Sequence, residues 1–344
     1  MKEFHQNEYN QSLQPDEAKF KLWRYMGLLL TYKCSAACKF CYYNCSPEAE
    51  GLMPEKIALD AWKSLKNLAG KAAKVHITGG EPFLYWEQLK NLLVQAEKLN
   101  LGPVDQIETN ASWAVNRKIV VEKVKILDGL GMQRLKISCD PFHAEFVDTA
   151  AVRLLAETAA EILGAARVLI RWQKYLDSPV NMRNLTQPQR QRQYKLTMQM
   201  YPFRFTGRAA TELGHLFATQ TADDFRSANC KLPFLSSKGV HIDPLGNVFS
   251  GLCSGIIIGN VNQNSLEQIW QNCDWNNGEF TGTLFSRGPT GFLEKAVKLG
   301  YEKRRFYTDR CHLCTDLRQF FFDRQQFTSI IGPVQCYHRY NREM

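Results

Sequence analysis

A rhythm limits how this chain can fold more than any other feature of it. Strand-like runs at 25–31, 74–78, 104–109, 134–138, 167–172 and 199–205 alternate with helical patterns. After a longer first interval the step is about 30 residues, the length of one strand–helix–strand unit. In the first interval Ile57, Ala61, Leu65 and Leu68 recur on one helical face, with Pro54 suited to the first turn and Gly70 to the stop. Leu89, Leu92, Leu93 and Ala96 repeat that pattern in the next. Parallel strands joined by right-handed crossovers curl into a barrel, and six units are too few for the standard eight. The expected fold is α/β, a partial (βα)6 TIM-like barrel, with its ligand site at the carboxyl ends of the strands.

Past Gly207 the rhythm stops. Residues 239–249 read as two short strands around the turn Asp243-Pro244-Leu245-Gly246. We expect an N-terminal extension over 1–24, the barrel over 25–210 and a small C-terminal α+β region over 211–344. The polar, basic stretch 187–195 reads as a solvated helix face. Hydrophobic residues at 44% and charged residues at 22% match globular proteins and argue against disorder. The longest aliphatic run, 26–30, is far short of the roughly 18 residues of a membrane helix. The first residues carry acids and amides where a secretory signal is apolar, so the expected compartment is the cytoplasm. A net charge of +9 suggests an anionic partner. Metal–thiolate groups would add negative charge of their own, so nucleic acid is not expected.

The eleven cysteines are grouped, which in a reducing compartment points to metal. Cys34-x3-Cys38-x2-Cys41 lies just after the first strand, at the carboxyl end of the sheet. Three thiolates on one short loop can hold three irons of a 4Fe–4S cube, leaving the fourth to chelate a small molecule through an amine and a carboxylate. Cys45 extends the spacing, so the cysteines alone also fit a closed cluster or structural zinc. Thr78-Gly79-Gly80-Glu81-Pro82 ends the second strand; its glycines permit close backbone approach to a ligand, and Glu81 can accept from an ammonium group. Glu108-Thr109-Asn110 and Ser138-Cys139-Asp140 bring hydroxyl, amide and carboxylate groups to the same end, suited to a ribose and an amino-acid moiety. His143 lies near the expected mouth, although isolated histidines more often serve structure. Trp113 and Trp172 read as packing, as do Cys139, Cys273 and Cys336.

Together these motifs, over roughly 27–210, resemble the radical S-adenosylmethionine superfamily. The resemblance implies that Cys34, Cys38 and Cys41 ligate a catalytic 4Fe–4S cluster, with Phe40 near the adenine. It implies that Gly79, Gly80 and Glu81 bind the methionine amino group, that Asn110, Ser138 and Asp140 serve the carboxylate and ribose, that Arg171 is a carboxylate partner, and that Gly207 offers backbone to the adenine. Cys230, Cys253, Cys311 and Cys314 look like a C-terminal twitch extension, a shortened relative of the SPASM domain. That likeness implies one auxiliary 4Fe–4S cluster, with zinc as the structural alternative. The gap from Cys230 to Cys253 and the absence of the full seven-cysteine pattern depart from SPASM.

The expected activity is reductive cleavage of S-adenosylmethionine to a 5′-deoxyadenosyl radical, which takes a hydrogen from a substrate. Catalytic roles fall to the three cysteines, with His143 as a further candidate. Related enzymes mainly modify peptides or protein side chains, the substrate class expected here, with a flavodoxin- or ferredoxin-type electron donor. Residues 1–24 are too short for a leader-binding domain, which keeps a small-molecule oxidoreductase close behind. A non-catalytic iron–sulfur or zinc module would explain the cysteines but leave Gly79-Gly80-Glu81-Pro82 without a purpose.

Overall fold

The computed structural model describes residues 6–201, 204–251 and 253–337. Five parallel strands form first: β1 (Tyr25–Leu29), β2 (Lys74–Thr78), β3 (Gln106–Thr109), β4 (Leu135–Ser138) and β5 (Val168–Arg171). Between them run the helices α1 (Glu55–Ala69), α2 (Trp86–Lys98), α3 (Arg117–Gly129) and α4 (Thr149–Leu163). The chain then adds β6 (Gly239–Ile242), β7 (Asn247–Ser250) and β8 (Ile257–Asn260), giving one sheet in the order β5-β4-β3-β2-β1-β6-β7-β8. The order is linear, so the barrel stays open.

A sixth parallel strand exists, but not at 199–205. Gln187–Met200 is helical (α5), and Arg204 and Phe205 carry no strand; Pro202 and Phe203 lie outside the described residues. The sixth strand is β6, pairing parallel to β1 from Tyr25 opposite Gly239 to Leu28 opposite Ile242. It therefore extends the sheet beyond β1 instead of following β5. The hairpin read at 239–249 is present, with β6 and β7 antiparallel, and α5 presents the polar face expected of 187–195.

Alternation along the strands gives the sheet two unlike faces. Val75, Ile77, Ile107, Leu135 and Ile137 are buried. Each such side chain contributes roughly 1.5–3 kcal/mol on full burial. The helices supply their partners: Ala58, Ala61, Trp62, Leu65 and Leu68 from α1, and Leu89, Leu92, Leu93 and Ala96 from α2. The other face carries His76, Thr78, Gln106, Glu108, Lys136 and Ser138, all half-buried. A closed TIM barrel fills this face with branched apolar side chains; here it is polar, and it leads upward to the carboxyl ends of the strands.

Candidate functional site

The connections after β1 to β5 all contribute to one cavity of about 140 Å³ at that end of the sheet. Cys34, Cys38, Phe40, Cys41 and Cys45 line it from the loop after β1, and Gly79 and Gly80 from the loop after β2. Asn110, Ser138, His143 and Arg171 complete it from the ends of β3, β4 and β5. Three predicted site residues lie elsewhere. Glu81 and Asp140 are fully buried and absent from the lining, and Gly207 sits behind the cysteine loop against a different hollow.

The diglycine is required by the chain itself. A Cβ on Gly80 would lie 1.9 Å from the Lys33 carbonyl oxygen, and one on Gly79 would lie 2.6 Å from that of Thr31. This close approach lets Gly80 N–H donate to Thr31 O at 2.7 Å and Glu81 N–H to Lys33 O at 2.9 Å, tying the β2 loop to the cysteine loop. Glu81 then turns its carboxylate inward: Oε1 accepts from Thr109 Oγ1 at 2.9 Å and Phe83 N–H at 3.1 Å, and Oε2 from Asn110 N–H at 2.7 Å. Burial still pushes its carboxyl up to about 7. Three donors of the chain thus already lie on the carboxylate expected to accept from a ligand's ammonium group, and the cavity lining does not include it.

Asp140 is likewise an anchor. Its Oδ1 accepts the backbone N–H groups of Phe142 and His143, each at 3.0 Å, and its Oδ2 meets His143 Nδ1 at 2.6 Å. The imidazole is thereby oriented with its other nitrogen free of the carboxylate, and its ring packs edge-on against Phe40 at 5.3 Å. Arg171 lies 5.0 Å from the Phe40 ring centroid and 5.1 Å from that of Trp172. Trp172 adopts φ +62°, ψ +59°, a left-handed conformation costly for a bulky residue, and stacks on Tyr201 at 4.6 Å.

Sequence reasoning missed Arg208 as the clamp of the cysteine loop. Its Nη1 donates to Cys38 O and its Nη2 to Cys45 O, both at 2.9 Å, while its N–H donates to Cys41 O at 2.9 Å. Gly207 makes this possible: with φ +57° it passes so close that a Cβ would lie 2.4 Å from Tyr42 O. On the other side the Ser254 hydroxyl donates to Tyr42 O at 2.5 Å. An arginine after a glycine is the only mark of this in the sequence, and nothing local names its partners.

The thiols are unpaired and close enough to feel one another's charge. Burial pushes Cys34 up to about 12 and Cys38 well above the ordinary thiol range. Cys41 is brought down to about 6 by a hydrogen bond from the Cys45 thiol, against its burial and with help from Arg208. Buried thiols that resist ionisation alone are suited to a cation that deprotonates them on binding. Among the described residues no three His, Cys, Asp or Glu side chains close on a single metal ion. Three thiols on one short loop, all lining the cavity, fit an iron–sulfur group held by thiolates. Cys45 lines the same cavity and shares a hydrogen bond with Cys41.

The second cysteine group also converges. Cys230 precedes the short helix Lys231–Leu235, Cys253 follows β7, and Cys311 and Cys314 open the helix α6 (Arg310–Asp323). The charges of Cys253 and Cys314 act on both Cys230 and Cys311, and burial raises the thiols of Cys230, Cys253 and Cys311, that of Cys230 to about 12. Arg204, Arg310 and Arg318 surround them.

A largely parallel open sheet thus carries a three-cysteine loop and a diglycine at its carboxyl end. The sequence model of the Radical SAM superfamily matches residues 28–171 of this chain. A curated relative, the putative peptide biosynthesis protein YydG of Bacillus subtilis (strain 168), is 26% identical over 141 residues, which is 38% of this chain and 40% of that one. The chain thus matches less than half the length of that relative. Among solved structures, BtrN in complex with AdoMet and 2-DOIA aligns over 78% of this chain and 90% of its own, with a TM-score of 0.50 and 16% identity. Native anSMEcpe with bound AdoMet and Cp18Cys peptide aligns over 87% and 96%, with a TM-score of 0.41 and 14% identity. No helix among the described residues is long and apolar enough to cross a membrane.

Proposed function

We propose that this protein is a radical S-adenosylmethionine enzyme that modifies a peptide or protein side chain. The observation that carries the reading is the convergence of Cys34, Cys38 and Cys41 with Gly79 and Gly80 on one cavity at the carboxyl ends of the strands. A 4Fe–4S cluster on these three thiolates, when bound with S-adenosylmethionine, supplies the 5′-deoxyadenosyl radical that takes a substrate hydrogen. The chain's own part is to bind, orient and shield. Arg208 and Ser254 fix the cysteine loop. Gly79 and Gly80 leave backbone open to the cosubstrate's amino group, Arg171 faces its carboxylate, Phe40 covers its adenine and Ser138 offers a hydroxyl. His143, held by Asp140, is the side chain poised to accept or return a proton at the substrate.

Cys230, Cys253, Cys311 and Cys314 hold an auxiliary 4Fe–4S cluster in this reading. Their mutual proximity and the surrounding arginines, which offset the charge of an iron–thiolate group, support it. The peptide substrate is supported by the name of the B. subtilis relative. Eleven unpaired cysteines support a reducing compartment, the cytoplasm, with a flavodoxin or ferredoxin as electron donor.

Anaerobic reconstitution with iron and sulfide, followed by dithionite and S-adenosylmethionine, tests the core of the proposal. Release of 5′-deoxyadenosine is expected from the wild type and not from Cys38→Ala. Full iron loading without that product would overturn the reading. Cys311→Ala should still release 5′-deoxyadenosine while losing substrate turnover, and retention of all its iron would argue against the auxiliary cluster.

A further inference from the structure

Asn110 stands at the end of β3, and its amide is fixed from two directions. Its backbone N–H donates to Glu81 Oε2 at 2.7 Å. Its side-chain Oδ1 accepts the Ser112 N–H at 2.9 Å. A backbone N–H can only donate, so the oxygen must face Ser112 and the NH2 must face the other way. On that side Nδ2 donates to Ser35 Oγ at 3.1 Å and to Cys34 Sγ at 3.5 Å, within range for a sulfur acceptor. Asn110 is 4% exposed, so water does not compete. Both amide hydrogens are spent within the chain, which leaves Asn110 few means of gripping a ligand.

We propose that Asn110 tunes the electron affinity of the cluster carried by Cys34, through its N–H···S hydrogen bond to that ligand sulfur, and that Glu81 is the positioning residue holding Asn110 in place. The inference rests on the reading that Cys34, Cys38 and Cys41 carry a 4Fe–4S cluster. One-electron reduction puts more negative charge on the sulfurs, and a donor aimed at one of them stabilises the reduced form. Cys34 also receives the backbone N–H of Ala36, which every substitution retains. Asn110 is the donor that a side-chain change removes. This gives the buried Glu81 a purpose other than ligand contact: it joins the β2 loop, the end of β3 and the first cysteine into one rigid unit.

The test is an EPR-monitored redox titration of the reconstituted protein, following the signal that changes when S-adenosylmethionine is added. Asn110→Asp keeps the Oδ1 that caps Ser112 and replaces the donor NH2 by oxygen; Asn110→Leu removes both. With iron content equal to wild type, both midpoints should move to more negative potential. Loss of one hydrogen bond to a charged acceptor makes reduction about tenfold less favourable, roughly 59 mV for one electron. An unchanged midpoint in either loaded variant overturns the proposal. Should neither variant assemble a cluster, wild-type protein labelled with ¹⁵N at the asparagine side-chain amide decides. A ¹⁵N hyperfine coupling in the reduced signal is expected, and its absence overturns the proposal. A wild type that builds no cluster responsive to S-adenosylmethionine sinks the underlying functional reading instead, a distinguishable outcome.

Discussion

At the scale of single residues the site is governed by what cannot be there. Gly80→Ala would drive a methyl to 1.9 Å from the Lys33 carbonyl oxygen and 2.4 Å from its carbon, backbone atoms that cannot rotate aside. Overpacking of this kind costs roughly 1–3 kcal/mol. The displaced segment carries Cys34, so reduced iron per chain together with a lower melting temperature is expected, and a variant with wild-type values of both would contradict the steric account. Glu81 adds a pH dependence. Burial raises its carboxyl from the usual 4.5 to about 7, so its favourable share of stability is complete below pH 4.5 and is lost as pH rises through 7. At about 1.4 kcal/mol per unit this amounts to about 3 kcal/mol. Urea unfolding of the iron-free protein should therefore show the stability gap between wild type and Glu81→Gln narrowing from pH 4.5 to pH 7. Parallel profiles would mean that Glu81 does not carry this charge cost.

At the scale of elements, the cysteine loop is held by residues far away in sequence. Arg208 offers two guanidinium donors to the carbonyls of Cys38 and Cys45, and hydrogen bonds involving a charged group contribute about 1.5–3 kcal/mol each. Arg208→Met should speed amide hydrogen exchange across 38–45 and hasten iron loss to a chelator. Arg208→Lys, which can reach one carbonyl at a time, should fall between. Equal exchange in all three proteins would remove Arg208 from this role. The same loop marks what a sequence can reveal. The strand Lys74–Thr78 and the faces of α1 and α2 were legible because period-2 and period-3.6 patterns are local. The cysteine spacing and the diglycine were legible because their chemistry is local as well. The role of Glu81 was not: its three donors come from Phe83, Thr109 and Asn110, so its orientation is decided by tertiary packing. The supposed strand at 199–205 failed for a related reason. Aromatic and β-favouring residues there suit a strand, but no pattern states which edge of a sheet a strand joins, and β6 takes the free edge of β1.

At the scale of the whole molecule, the boundary expected near residue 210 is crossed by the sheet itself. β6 is bonded along β1, and the short helix Leu266–Gln271 packs on α1, where Glu267 N–H donates to Ser64 Oγ at 3.0 Å. The N-terminal segment binds the two ends together. Asn7 Nδ2 donates to Trp270 O at 2.5 Å and Cys273 O at 3.1 Å. Phe20 is fully buried among Trp23, Trp270 and Trp275. Truncating a buried phenylalanine to alanine costs about 3–5 kcal/mol, so Phe20→Ala should lower the denaturant midpoint of the entire chain in one transition. A fragment of residues 25–210 would lack β6, leaving the backbone of β1 unpaired along one side, and would lack the residues that cover α1. Exposed strand edges of this kind recruit other chains. The fragment should therefore aggregate or remain unfolded by circular dichroism and size-exclusion chromatography. A monomeric, cooperatively melting fragment would prove the barrel independent of the second cysteine group and would contradict this account.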